Sequence, residues 1–91
     1  TLKLASVAAN SAMFGSDSAI ANVEIDGMVF DGNKTTVTTN DTYGVKFENI
    51  NNLTITNSQF QNLRMDGVLC GLTTLAEDVT VDNCLFTNII F

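Results

Sequence analysis

Three stretches of this 91-residue chain overlay one another: residues 22–33 (NVEIDGMVFDGN), 52–63 (NLTITNSQFQNL) and 78–89 (DVTVDNCLFTNI). The first and second lie 30 residues apart, and the second and third 26. A repeat of this length, made of short apolar alternations separated by bend-forming residues, cannot bury its apolar side alone. It does so by stacking on the next copy, which is how a solenoid builds a continuous core.

The columns of the overlay carry the local structure. Val23, Leu53 and Val79 form one apolar column and Ile25, Ile55 and Val81 a second, with polar Glu24, Thr54 and Thr80 between them. Apolar residues at i and i+2 with a polar one between is the period of a half-buried strand. Gly27, Asn57 and Asn83 follow, and glycine and asparagine are the residues that best tolerate a left-handed bend. The alternation restarts with Met28, Ser58 and Cys84 and with Phe30, Phe60 and Phe86, both columns pointing inward, and a second bend is expected at Gly32, Asn62 and Asn88. A third strand aligns Gly44–Glu48 with Gly67–Gly71, so that Val45 pairs with Val68 and Phe47 with Cys70.

Three short strands per repeat predict an all-β chain: a right-handed parallel β-helix, a three-sheet solenoid of about three to four turns. Stacked turns about 4.8 Å apart would pile the three phenylalanines in the core. They would also let Asn57 and Asn83 form a buried amide ladder, since asparagine donates and accepts at once. The right hand follows from the crossover rule for parallel strands.

The pattern Asn-Φ-Thr-Φ-x-Asn-x-x-Phe-x-Asn, preceded by the Tyr-Gly-Val or Asp-Gly-Val strand starts at residues 43–45 and 66–68, resembles the parallel β-helix repeats of pectate lyase-like proteins. The resemblance covers residues 18–91. That superfamily includes polysaccharide lyases, hydrolases and epimerases as well as bacteriophage tailspikes. It implies a polysaccharide as partner and an extracellular or virion location, without selecting one activity.

The ends read as interior. The chain starts without Met and closes on Ile89-Ile90-Phe91, whereas solenoids carry polar capping repeats. The expectation is therefore one β-helix segment, residues 1–91, that belongs to a longer polypeptide or to a homo-oligomer, a trimer by the tailspike resemblance, and that is not a stable monomer by itself. Ten acidic and four basic residues give a net charge of −6, which argues against nucleic acid, because phosphate binding needs basic clusters. No segment is apolar for long enough to span a membrane as a helix, and no signal peptide is visible. Both cysteines, Cys70 and Cys84, fall on inward columns at different positions around the coil, and read as buried free thiols. There is no histidine, which removes Cys-His nucleophiles and imidazole metal sites.

Candidate site residues are few. Between Gly32 and Gly44 the chain inserts a threonine-rich loop, residues 33–43, where the next repeat has only residues 63–66. Insertions in repeats collect on one face, often the binding face. Asp41 and Tyr43 are the carbohydrate-binding candidates, one for hydroxyl contacts and one for ring stacking; the plain alternative is a solvated loop. Glu24 and Asp26 flank inward Ile25, which puts two outward carboxylates about 7 Å apart along a strand. Glycosidases need two at about 5–9.5 Å, so this is the candidate catalytic pair, set against a plain solvated strand face. No resident metal or other cofactor is expected. Calcium is the one ion whose oxygen chemistry Asp31, Asp41 and Asp66 beside bends could serve. Lyase chemistry would need Lys46 or Arg64 as base, and neither has an acidic partner set. Three Asn-x-Thr sequons at Asn33, Asn40 and Asn52 are expected from an Asn- and Thr-rich repeat.

The functional expectation is a structural, carbohydrate-binding module of a phage tailspike or appendage acting on bacterial surface polysaccharide, not catalytic by itself. The competing expectation is part of a secreted polysaccharide lyase, glycoside hydrolase or epimerase, and a surface adhesin passenger is a third.

Overall fold

The computed structural model describes residues 2–3, 11–33, 42–71 and 75–89, and every structural statement below concerns these. They form eight strands: β1 (Leu2–Lys3), β2 (Ser11–Asp26), β3 (Val29–Asp31), β4 (Thr42–Thr56), β5 (Gln59–Gln61), β6 (Val68–Cys70), β7 (Ala76–Asp82) and β8 (Leu85–Thr87). All described pairings are parallel. One sheet runs β1-β3-β5-β8; in the other β4 is central, pairing β2 along its length, β6 near its start and β7 near its end.

The register follows the overlay. Val23 faces Leu53 and Leu53 faces Val79; Ile25, Ile55 and Val81 line up likewise, as do Phe30, Phe60 and Phe86. Val45 meets Val68 and Phe47 meets Cys70. Parallel pairing in this register keeps each inward column continuous, so the core is a set of like-on-like contacts between repeats. It consists of Ile25, Phe30, Val45, Phe47, Ile50, Leu53, Ile55, Phe60 and Leu63. The Phe30 and Phe60 rings stack at 5.0 Å and 9°, and the Phe60 and Phe86 rings at 5.0 Å and 8°. Phe60 is fully buried between its two neighbours, whereas Phe86 keeps 45% of its surface exposed because no described residue covers its far side.

Other expectations are corrected. The closed three-sheet coil is not found: the described strands make two small parallel sheets and no closed solenoid. The expected third strand is continuous with the first, since Gly44–Glu48 and Asn52–Thr56 lie in the single strand β4. The turn between them is taken up by one left-handed residue per repeat, Asn22 (φ 61°), Asn52 (φ 67°) and Asp78 (φ 54°). Pairing resumes directly after each of these, so the sheet bends there without dividing. This third row of bends recurs at the first position of the overlay.

The expected bends at Gly27, Asn57, Asn83, Asn62 and Asn88 are left-handed, with φ between 52° and 70°. In the first repeat the second bend falls on Asn33 (φ 53°) and not on Gly32. Glycine is needed at 32 for a different reason: a Cβ there would lie 2.5 Å from the Asn62 carbonyl oxygen.

The amide ladder exists but on the outside. Asn83 Nδ2 donates to Asn57 Oδ1 at 2.6 Å, with both residues exposed. Water can reach these amides, so they need no burial to be satisfied. Cys70 and Cys84 are free, as expected, but only half-buried.

Candidate functional site

The positions that carry polar chemistry are the outward rows of β2, β4 and β7 and the bends that follow them. In-register pairing sets Glu24 beside Thr54 and Thr54 beside Thr80, and sets Asp26 beside Thr56 and Thr56 beside Asp82. These rows are exposed or half-buried. Side chains of one row repeat at about 4.8 Å across the strands, and the two rows lie about 7 Å apart along them.

Hydrogen bonds tie the rows together. Asp26 Oδ1 accepts from Thr56 Oγ1 and from Asn57 Nδ2, both at 2.9 Å. Asn52 Nδ2 donates to Asn22 Oδ1 at 2.9 Å, Asn62 Nδ2 to Asp31 Oδ1 at 3.1 Å, and Asn88 Nδ2 to Asn62 Oδ1 at 2.9 Å. With the Asn83–Asn57 bond, these amides all donate toward the preceding repeat. Two ladders begin on an aspartate, which when ionised can only accept.

The pair Glu24 and Asp26 lies outward on exposed β2, as its spacing requires. Hydrogen bonds set the charge preference of one member, Asp26. The bonds from Asn57 and then Thr56 hold the Asp26 carboxyl below the usual carboxylate range. Of the two carboxylates a glycosidase needs, this suits the ionised nucleophile or base and not the acid, which must keep its proton. The hollow beside these residues is bounded by Phe14, Ile25, Met28 and Phe30 as well as by both carboxylates.

Tyr43, the expected stacking ring, is 7% exposed, and the Lys46 ammonium lies 5.5 Å from its ring centre. The ring is part of the wall of the fold, with a cation at one face. Asp41 lies outside the described residues. Asp31 is buried and engaged: besides Asn62 it receives the Asn33 amide at 2.8 Å and Gln61 Nε2 at 3.3 Å. Among the described residues no group of three or more acidic or thiol side chains could hold a metal. Nor do they include a helix long and apolar enough to cross a membrane. Arg64 sits against Thr42, whose Oγ1 accepts from the Arg64 backbone amide at 3.1 Å, and its Nε is buried without a partner.

Sequence reasoning did not anticipate the Asp26–Thr56–Asn57 and Asp31–Gln61–Asn62 networks. The signal was the position of the aspartates, each one residue before the position that later repeats fill with asparagine.

No protein family, curated protein or solved structure matches this chain. Together with the two unclosed sheets, that overturns the resemblance to pectate lyase-like proteins and their tailspike relatives. The motif behind it, Asn-Φ-Thr-Φ-x-Asn, reflects the demands of parallel stacking. Any chain that stacks strand–bend units in parallel needs alternating apolar residues and left-handed bends that can hydrogen-bond along the stack.

Proposed function

We propose that this chain is a structural, non-catalytic module that binds an extracellular polysaccharide through the outward face of β2, β4 and β7. The observation that carries this reading is the row pattern of that face: Glu24-Thr54-Thr80 beside Asp26-Thr56-Asp82, held at strand spacing by the sheet. Hydroxyls there can donate and accept, and carboxylates accept from pairs of sugar hydroxyls. A face fixed by backbone pairing loses little freedom on binding, which favours recognition of a repeating, hydroxyl-rich polymer. Glu24, Asp26 and Asp82 on the face, with the net charge of −6, disfavour acidic polysaccharides, so a neutral glycan is the class that fits. The setting in this reading is extracellular or on a virion.

The same reading takes the two sheets as faces of one right-handed coil. Its support is the repeated order of strand, left-handed bend and strand through Gly27, Asn57 and Asn83, together with the right-handed rule for parallel crossovers.

Affinity electrophoresis in gels containing neutral glucan, neutral mannan or polygalacturonate tests the function. The reading expects retardation by a neutral polymer, none by polygalacturonate, and at least a tenfold loss with Thr54→Val/Thr80→Val, which keeps shape and strand preference but removes both hydroxyls. No retardation by any neutral polymer, or release of reducing ends that disappears in Glu24→Gln, would overturn it.

A further inference from the structure

The first column of the overlay, Asn22, Asn52 and Asp78, departs from the other two ladders in where its aspartate stands. In those ladders the aspartate, Asp26 or Asp31, comes first. The middle asparagine, Asn57 or Asn62, then donates through Nδ2 to the repeat before it and accepts through Oδ1 from the repeat after it. Asn52 donates in the same sense, through Nδ2 to Asn22 Oδ1 at 2.9 Å. Its Oδ1 is thereby turned toward Asp78, where the third repeat has a carboxylate in place of an amide. The three residues are left-handed, with φ of 61°, 67° and 54°, so the backbone holds this column as it holds the other ladders.

An ionised carboxylate only accepts. Asn52 Oδ1 and the Asp78 carboxylate therefore stand side by side as two acceptors, and among the described residues no N–H or O–H donates to either. The gap lies between β4 and β7, which pair directly on both sides of it, Asn51 with Glu77 and Leu53 with Val79. Whatever stacks beyond β7 leaves this gap unfilled. Next to it on the outward face Thr54 and Thr80 are cross-strand partners, and neither hydroxyl is engaged by a described residue. Thr56, by contrast, has its proton committed to Asp26.

We propose that Asn52, Asp78, Thr54 and Thr80 form the sugar-contacting subsite of the outward face, and that the break in the ladder sets its specificity. The two acceptors take neighbouring hydroxyl donors of a neutral glycan, one each, and the threonine hydroxyls complete the contact. This rests on the polysaccharide reading of the same face and adds which residues touch the sugar. A cation would also satisfy two acceptors, but among the described residues no group of three or more acidic or thiol side chains could hold one.

Asp78→Asn separates binding from folding. Asparagine tolerates the left-handed bend. Its Nδ2 would donate to Asn52 Oδ1, as Asn83 donates to Asn57, and would close the gap. Asp78→Gly keeps the bend and removes the same charge but leaves Asn52 Oδ1 open. The full chain and both variants are run in gels containing neutral glucan or neutral mannan, and their melting temperatures are measured. Asp78→Asn should melt at or above the unaltered chain, yet lose about tenfold or more in affinity for the retarding polymer. Asp78→Gly should lose less, by a factor of about three. Equal losses in the two variants would make charge alone responsible. That result, an Asp78→Asn chain that binds like the unaltered one or melts below it, or retardation abolished by a calcium chelator would each overturn the subsite and leave the polar-face reading in place. No retardation of the unaltered chain by either polymer would overturn both.

Discussion

Replacing Phe60 with alanine should be far more damaging than the same change at Phe86, although the two rings occupy the same column. Phe60 is fully buried and stacked on both sides, at 5.0 Å from each neighbouring ring centre. Buried Phe→Ala changes cost about 3–5 kcal/mol, and loss of two stacked contacts puts this site toward the upper end. Phe86 is 45% exposed and has one stacked partner. About half of a full burial term, plus roughly 1 kcal/mol for one ring pair, gives about 2 kcal/mol. The separation between the variants is therefore about 2–3 kcal/mol, a large share of the roughly 5–15 kcal/mol that holds a typical domain folded. Urea unfolding followed by circular dichroism reads it as a difference in midpoint at constant slope. Phe60→Leu, which keeps most of the volume, should fall between wild type and Phe60→Ala and shows that the effect is packing. Equal midpoint shifts for Phe60→Ala and Phe86→Ala, or a Phe60→Ala cost below about 1 kcal/mol, would refute the column as the centre of the core.

Two glycines lean on the same rings. A Cβ on Gly44 would sit 2.6 Å from both the Gly67 carbonyl oxygen and Phe60 Cδ1, whereas on Gly67 it would meet only ring atoms at 3.0 Å or less, Phe86 Cδ2 and Cε2 at 2.6 Å. The exposed Phe86 ring can swing aside and backbone cannot, so Gly44→Ala should lower the melting temperature more than Gly67→Ala. Asp26 has a depressed folded-state pKa, so its contribution to stability is present above the unfolded-state value and is lost as pH falls through the folded one. Melting temperature against pH should therefore drop less steeply at acid pH in Asp26→Asn, whose amide oxygen still accepts from Thr56 and Asn57. Burial pushes the Cys70 thiol up, a backbone hydrogen bond at Phe47 only partly opposing it. In a Cys84→Ser background its alkylation by iodoacetamide at pH 7 should be slower than that of a free model thiol and should match it only after unfolding.

The repeat made the strand columns legible because inward positions must match from unit to unit when strands stack in parallel. Val23-Leu53-Val79 and Phe30-Phe60-Phe86 could be paired from spacing alone, and so could the left-handed bends at Asn57 and Asn83. The division into sheets was not legible. Whether a bend separates two sheets depends on whether pairing survives across it, and at Asn52 one left-handed residue turns β4 without ending it. Burial of the Asn ladder was misjudged for a related reason: bends project outward where water competes, so the amides bond along the stack without entering the core. Tyr43 is the candidate site residue whose setting differs most from its sequence reading. A lone aromatic at the edge of a polar loop reads as a ligand platform, yet it precedes the inward Val45 strand and packs into the wall with it. The aspartates opening the ladders at Asp26 and Asp31 could have been read as acceptors for the asparagines of the next repeat.

The central claim is that the repeat units lie in register, position for position, and disulfide trapping tests it most directly. Thr54 and Thr80 are direct cross-strand partners on the outward face. Adjacent strands lie about 4.8 Å apart, inside the roughly 4.4–6.8 Å that a disulfide spans between Cα atoms. In a background with Cys70→Ala and Cys84→Ser, the latter copying Ser58 of the same column, Thr54→Cys/Thr80→Cys should oxidise rapidly within one chain. Thr54→Cys/Asp82→Cys, displaced by two residues, should stay reduced under the same conditions. Rapid closure of the displaced pair, with the in-register pair left reduced, would contradict the stacking on which the core and the polar face both depend.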